Sequence, residues 1–65
     1  MKITLNGVER EVEATGLIHA LIELGYSEGT IATAVNGQFI PKTQRTEIVL
    51  SEGDRIEVVA PMQGG

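Results

Sequence analysis

Met1-Lys2-Ile3-Thr4-Leu5-Asn6-Gly7-Val8-Glu9-Arg10-Glu11-Val12 opens the chain with two alternating runs joined by an Asn-Gly pair. Ile3 and Leu5 share one parity and Lys2 and Thr4 the other, and Asn-Gly accepts the positive φ values of a type I′ hairpin turn. With Asn6 and Gly7 as the loop, Leu5 faces Val8, Ile3 faces Arg10, Met1 faces Val12 and Lys2 faces Glu11. This register predicts Val8 and Val12 against the core. It puts Glu9, Glu11 and Glu13 on the wet face of an edge hairpin.

Working outward, Thr15 is placed to cap a helix over Gly16-Leu17-Ile18-His19-Ala20-Leu21-Ile22-Glu23-Leu24, with Gly25 as the left-handed residue that ends it. At helical spacing Leu17, Ala20, Leu21 and Leu24 share the core face, Ile18 and Ile22 form a second apolar ridge, and His19 and Glu23 point away. Ile31 to Val35 reads as a strand, and Asn36-Gly37 turns it back into Gln38-Phe39-Ile40 until Pro41 stops the ladder. A polar stretch, Lys42-Thr43-Gln44-Arg45, precedes a predicted strand Glu47-Ile48-Val49-Leu50. Ser51-Glu52-Gly53-Asp54 then turns into a final strand, Arg55-Ile56-Glu57-Val58-Val59-Ala60. The order ββαβ(β)ββ predicts an α+β fold, a mixed sheet of four to five strands with one main helix packed on one face.

Size and composition remove whole classes of function. A chain of 65 residues buries only about 60% of its unfolded surface, enough for one compact core and no interdomain cleft. There is no Cys, and His19 is the sole His. A disulfide framework, a zinc site and a Ser-His-Asp triad are therefore all disfavoured, and His19 reads as a solvated surface imidazole. Glu52-Gly53-Asp54 lacks the ordered oxygen ligands of a calcium loop and reads as a turn, so no metal site is expected. Nine acidic against five basic side chains, with one Tyr and one Phe, disfavour a nucleic-acid partner. No apolar run approaches the roughly 18 residues of a membrane span, and the first residues carry no secretory h-region. A soluble, cytoplasmic chain is expected.

Core requirements leave the last stretch unexplained: Ala60-Pro61-Met62-Gln63-Gly64-Gly65. Two terminal glycines bury nothing and carry the largest entropic cost of ordering. A glycine tail does suit passage down a narrow channel, carrying its α-carboxylate to a reactive centre in another protein. Residues 1–60 are accordingly read as the folded domain and 61–65 as a flexible tail.

Taken with the ββαβββ layout, this ending resembles the ubiquitin-like β-grasp group along the whole chain. More narrowly, Ala34-Val35-Asn36-Gly37-Gln38-Phe39-Ile40-Pro41, Glu52-Gly53-Asp54-Arg55-Ile56-Glu57 and Ala60-Pro61-Met62-Gln63-Gly64-Gly65 resemble the bacterial sulfur carriers of thiamine thiazole biosynthesis. The sulfur carriers of molybdopterin synthesis are similar in tail and fold but generally longer, and a ubiquitin-like protein modifier would need the same tail.

The resemblance implies that an ATP-dependent adenylating enzyme of the ubiquitin-activating type, with magnesium serving its ATP, joins AMP to the Gly65 carboxylate. A persulfide derived from cysteine through a desulfurase then displaces AMP, and the resulting Gly65 thiocarboxylate supplies sulfur to thiazole synthase. Gly64, Gln63, Met62 and Pro61 are expected to enter the partners' active sites. Fully extended, the five residues after Ala60 reach roughly 17 Å, and Pro61 restricts φ where they depart. The chain itself is expected to bind no cofactor and to contribute no catalytic residue, acting as a protein cosubstrate. Phe39, Ile40 and Val59, with Met62, are candidates for an apolar docking patch beside the tail. Glu52, Asp54 and Glu57 are candidates for steering it onto a basic partner, although solvation alone also accounts for them.

Overall fold

The computed structural model describes residues 1–26 and 31–60. Strands β1 (Lys2–Leu5) and β2 (Val8–Glu11) form the first hairpin, and β3 (Ala32–Val35) and β4 (Gln38–Ile40) the second. Helix α1 (Leu17–Glu23) lies between the hairpins in sequence, and β5 (Arg55–Val59) comes last. The strands make one mixed sheet in the order β2-β1-β5-β3-β4, in which β5 runs parallel to β1 and antiparallel to β3. The final strand of the described chain therefore occupies the middle of the sheet.

Both Asn-Gly turns behave as their chemistry dictates. Asn6 and Gly7 have φ of 51° and 85°, Asn36 and Gly37 of 52° and 83°, the paired left-handed conformations of a type I′ turn. The first hairpin adopts the expected register, with Lys2 opposite Glu11 and Leu5 opposite Val8. Its continuation holds too: Met1 and Val12 exchange N–H···O bonds of 2.9 and 3.0 Å. Val12 is buried, but Val8 is 62% exposed, which corrects its assignment to the core. It lies on the helix-side face of an edge strand that a seven-residue helix is too short to cover.

One face of the sheet carries Ile3, Leu5, Thr33, Ile40, Ile56 and Val58, and Leu17, Ala20 and Leu21 of α1 close over it with Val12 and Leu50. Leu24 packs against the edge of this cluster, while Ile22 is exposed, so the second apolar ridge of α1 is only partly used. The helix ends as expected: Gly25 has φ of 104°, Tyr26 N–H reaches Leu21 O and Gly25 N–H reaches Ile22 O. Its start differs. Gly16, not Thr15, is the N-cap residue, and it makes no side-chain cap bond. The chain 48–50 supplies the partner instead, since Leu17 N–H donates to Ile48 O at 3.0 Å and Leu50 N–H to Thr15 O at 2.7 Å.

Those bonds also explain why Glu47–Leu50 is not a sheet strand. Among the described residues its only ladder contact is an isolated antiparallel bridge between Val49 and Gly16. Lys42–Glu47 forms a 3-10 helix that takes in the first residue of that stretch and that the polar composition did not announce. From it Arg45 turns inward, buried, and its Nη2 donates to Ile31 O at 2.6 Å.

Candidate functional site

The arrangement converges on the end of β5 and the sheet face turned away from α1. Alternation along β5 sends Ile56 and Val58 into the core and Arg55, Glu57 and Val59 to the open face. Across the ladder Ala32 lies opposite Val59, Ala34 opposite Glu57, and Phe39 opposite Ala34. Phe39 and Val59 are 62% and 67% exposed. Together with Ala32, Ala34, Glu57, Asn6 and the backbone at Thr33 they line an open groove of about 500 Å³. Small alanines between two large apolar side chains account for the concavity.

Of the patch expected from sequence, Phe39 and Val59 thus share this face. Ile40 does not: it is 6% exposed and packed in the core opposite Thr33, because its neighbour Phe39 takes the outward parity. Pro61, Met62, Gln63, Gly64 and Gly65 lie outside the described residues, as does the expected tail behaviour of 61–65. Glu57 is exposed at the groove. Glu52 and Asp54 sit at the far end of β5 and serve the fold there. The Glu52 carboxylate accepts from Lys2 N–H at 3.1 Å, and Asp54 Oδ2 accepts from Ser51 N–H at 2.8 Å. His19 is exposed on α1, on the opposite side from the groove.

Sequence reasoning overlooked the side chains of the two turn asparagines. Val58 N–H donates to Asn6 Oδ1 at 2.9 Å, and Asn6 Nδ2 donates to Val58 O at 3.2 Å. Arg55 N–H donates to Asn36 Oδ1 at 2.9 Å, and Asn36 Nδ2 to Asp54 Oδ1 at 3.0 Å. Both Asn-Gly pairs had already been accounted for as turns, so nothing in the local sequence marked these amides as tethers of a strand remote in the chain.

The fold, with its final strand central in the sheet and followed by Pro61-Met62-Gln63-Gly64-Gly65, defines a β-grasp domain of the ubiquitin-like kind. Residues 3–65 match the ThiS family, and the chain belongs to it. The resemblance to the sulfur carriers of thiamine biosynthesis therefore holds. Among solved structures, the crystal structure of the thiamine biosynthesis protein ThiS from Geobacter metallireducens superposes with a TM-score of 0.82 over all of both chains, at 22% identity. A thiazole synthase of Paramagnetospirillum magneticum is 35% identical over 66 residues, a match that takes in all of this chain. The chain spans about a fifth of that relative's length (20%).

Proposed function

We propose that this protein carries sulfur on the carboxylate of Gly65 for thiazole formation in thiamine biosynthesis. What supports the reading is that the family match extends through Gly64 and Gly65, the two residues that core packing leaves without a purpose. A carboxylate resists attack because its charge is delocalised over both oxygens, so activation comes first. In an adenylating partner that uses ATP and magnesium, the Gly65 oxygen attacks the α-phosphate, pyrophosphate leaves, and an acyl adenylate forms. A persulfide sulfur, drawn from cysteine by a desulfurase, then adds to the acyl carbon and expels AMP. Cleavage of the resulting acyl disulfide by a thiol leaves the thiocarboxylate, which a thiazole synthase receives.

The chain's own contribution is presentation. Glycine at 64 and 65 removes every Cβ from the last approach to the partner's nucleotide, and no Cys in the sequence competes for the activated carbonyl. Phe39 and Val59, exposed beside the end of β5, supply an apolar docking surface, and Glu57 a charge at its border. The groups that perform chemistry belong to the partners, and the chain is their cosubstrate in the cytoplasm.

Incubation with the adenylating partner, ATP, magnesium and a sulfur source is expected to change the intact mass by one oxygen-to-sulfur replacement. Deleting Gly65 is expected to abolish that change while leaving the circular dichroism melting curve in place. An unchanged wild-type mass, under conditions that convert another carrier of this family, refutes the assignment.

A further inference from the structure

β1 and β5 run parallel, but their pairing stops at Leu5 opposite Ile56, whereas β5 continues to Val59. Asn6 N–H still reaches Ile56 O at 2.9 Å, after which the main chain turns back into β2. On that side the N–H and C=O of Val58 have lost their neighbouring strand, three residues before residue 61. The Asn6 carboxamide takes its place, accepting from Val58 N–H at 2.9 Å and donating to Val58 O at 3.2 Å. A carboxamide presents the same donor and acceptor as a peptide unit, so Asn6 lengthens β1 where its backbone has already left.

The turn alone does not require this residue. Glycine and aspartate also occupy the left-handed region, but glycine has no polar group and an aspartate carboxylate only accepts. Asn36 provides the comparison within the same molecule. It has the same backbone conformation (φ 52° against 51°) and also takes a β5 N–H, but that of Arg55, and its Nδ2 goes to a carboxylate. One asparagine thus grips the first residue of the central strand, and the other grips its last residue but one.

We propose that Asn6 is a positioning residue for sulfur transfer: its carboxamide closes the end of β5 and so sets the point and direction from which residues 61–65 depart. The inference rests on the reading of Gly65 as the working group. Without the clamp, the end of β5 is held, among the described residues, from the β3 side alone, by the pairing of Val58 with Thr33 and of Val59 with Ala32. The end of the strand then samples several exit directions. A partner that accepts one of them sees an apparent affinity reduced by the fraction of carriers in that state, while the chemical step is unaltered.

Asn6→Gly keeps the left-handed turn and removes both bonds, Asn6→Asp keeps the acceptor alone, and Asn36→Gly is the matched control at the other end of β5. Two readouts separate positioning from general stability: amide hydrogen exchange of Val58 to Ala60 in the free chain, and adenylation kinetics as carrier concentration is varied. Asn6→Gly is expected to speed exchange at Val58 about tenfold, the scale of the one bond lost at its N–H, and to raise KM for the carrier by a similar factor. Its kcat stays at the wild-type value. Asn6→Asp falls between, and Asn36→Gly leaves KM unchanged even where its melting temperature drops as far. An adenylated wild type with an unaltered KM in Asn6→Gly, or an equal rise in Asn36→Gly, overturns this inference alone. A wild type that is not adenylated overturns the reading of Gly65 and the inference with it.

Discussion

Thr33 is buried to 1% exposure on the core face, opposite Ile40 on one side and Val58 on the other, and its Oγ1 has no hydrogen-bond partner among the described residues. An unpaired buried hydroxyl costs about 1–3 kcal/mol relative to its solvated state. Thr33→Val replaces it with a methyl of nearly the same size and keeps the β-branch that suits a strand. It is expected to stabilise the fold by about 1 kcal/mol, seen as a higher urea midpoint with an unchanged slope. A lower midpoint would mean that the hydroxyl is satisfied in solution. At this scale the sequence reading was uneven for a physical reason. Parity along β4 and β5 sorts Ile40 from Phe39 and Val58 from Val59, but it is defined only once the ladder is known. Grouping Ile40 with Phe39 as a surface patch mixed the two faces of one strand.

Helix α1 has seven residues, too few to persist in isolation. Its ends are held by main-chain groups from 48 and 25–26, and by a strap from its own last residue. The Glu23 carboxylate accepts from Ala14 N–H at 2.7 Å and from Glu13 N–H at 3.0 and 3.2 Å, tying the β2–α1 connection to the helix C-terminus. These bonds, Ala14's first, hold the Glu23 carboxyl below the ordinary value of 4.5. Because the folded pKa is depressed, the strap contributes fully above the unfolded value and is lost as pH falls through the lower folded one. In urea titrations over a pH series, the wild type is expected to lose stability on acidification through this range. Glu23→Gln should start less stable at neutral pH and lose less; parallel curves would exclude the strap.

At the scale of elements, the hairpins were legible because turn chemistry and period-two alternation coincide in a few residues. Glu47–Leu50 has the same alternation, with Leu50 buried and Val49 exposed, yet among the described residues its backbone bonds reach the start of α1 and the segment just before it, not another strand of the sheet. Periodicity records which side is buried, not what lies across. The 3-10 helix before it has no apolar stripe at all, and the inward turn of Arg45 follows from a carbonyl at Ile31 that no local pattern reveals.

For the whole molecule, the described core is ten apolar side chains, and a domain of this size has a stability of roughly 3–10 kcal/mol. Ile56, fully buried in the central strand between β1 and β3, belongs to that core from both sides. Ile56→Ala is expected to cost about 2–5 kcal/mol and to lower the melting temperature by on the order of 20 °C, measured by far-ultraviolet circular dichroism. A shift of only a few degrees would contradict the packing described. The layered α+β character was legible in the order of elements, and the resemblance carried by stretches 34–41, 52–57 and 60–65 pointed to the right family. Strand order was not readable from periodicity, since the contact of β1 with β5 joins opposite ends of the chain and leaves no local trace.

The central place of β5 has a consequence for biosynthesis. The β1–β2 and β3–β4 hairpins pair with β5 and not with each other, so during translation they remain two separate ribbons until Arg55–Val59 leave the ribosome. A chain broken off before that point has no continuous sheet, and its exposed edges and short helix invite proteolysis. The strand that precedes Pro61 is thus also the one whose arrival joins the two ribbons into a single sheet.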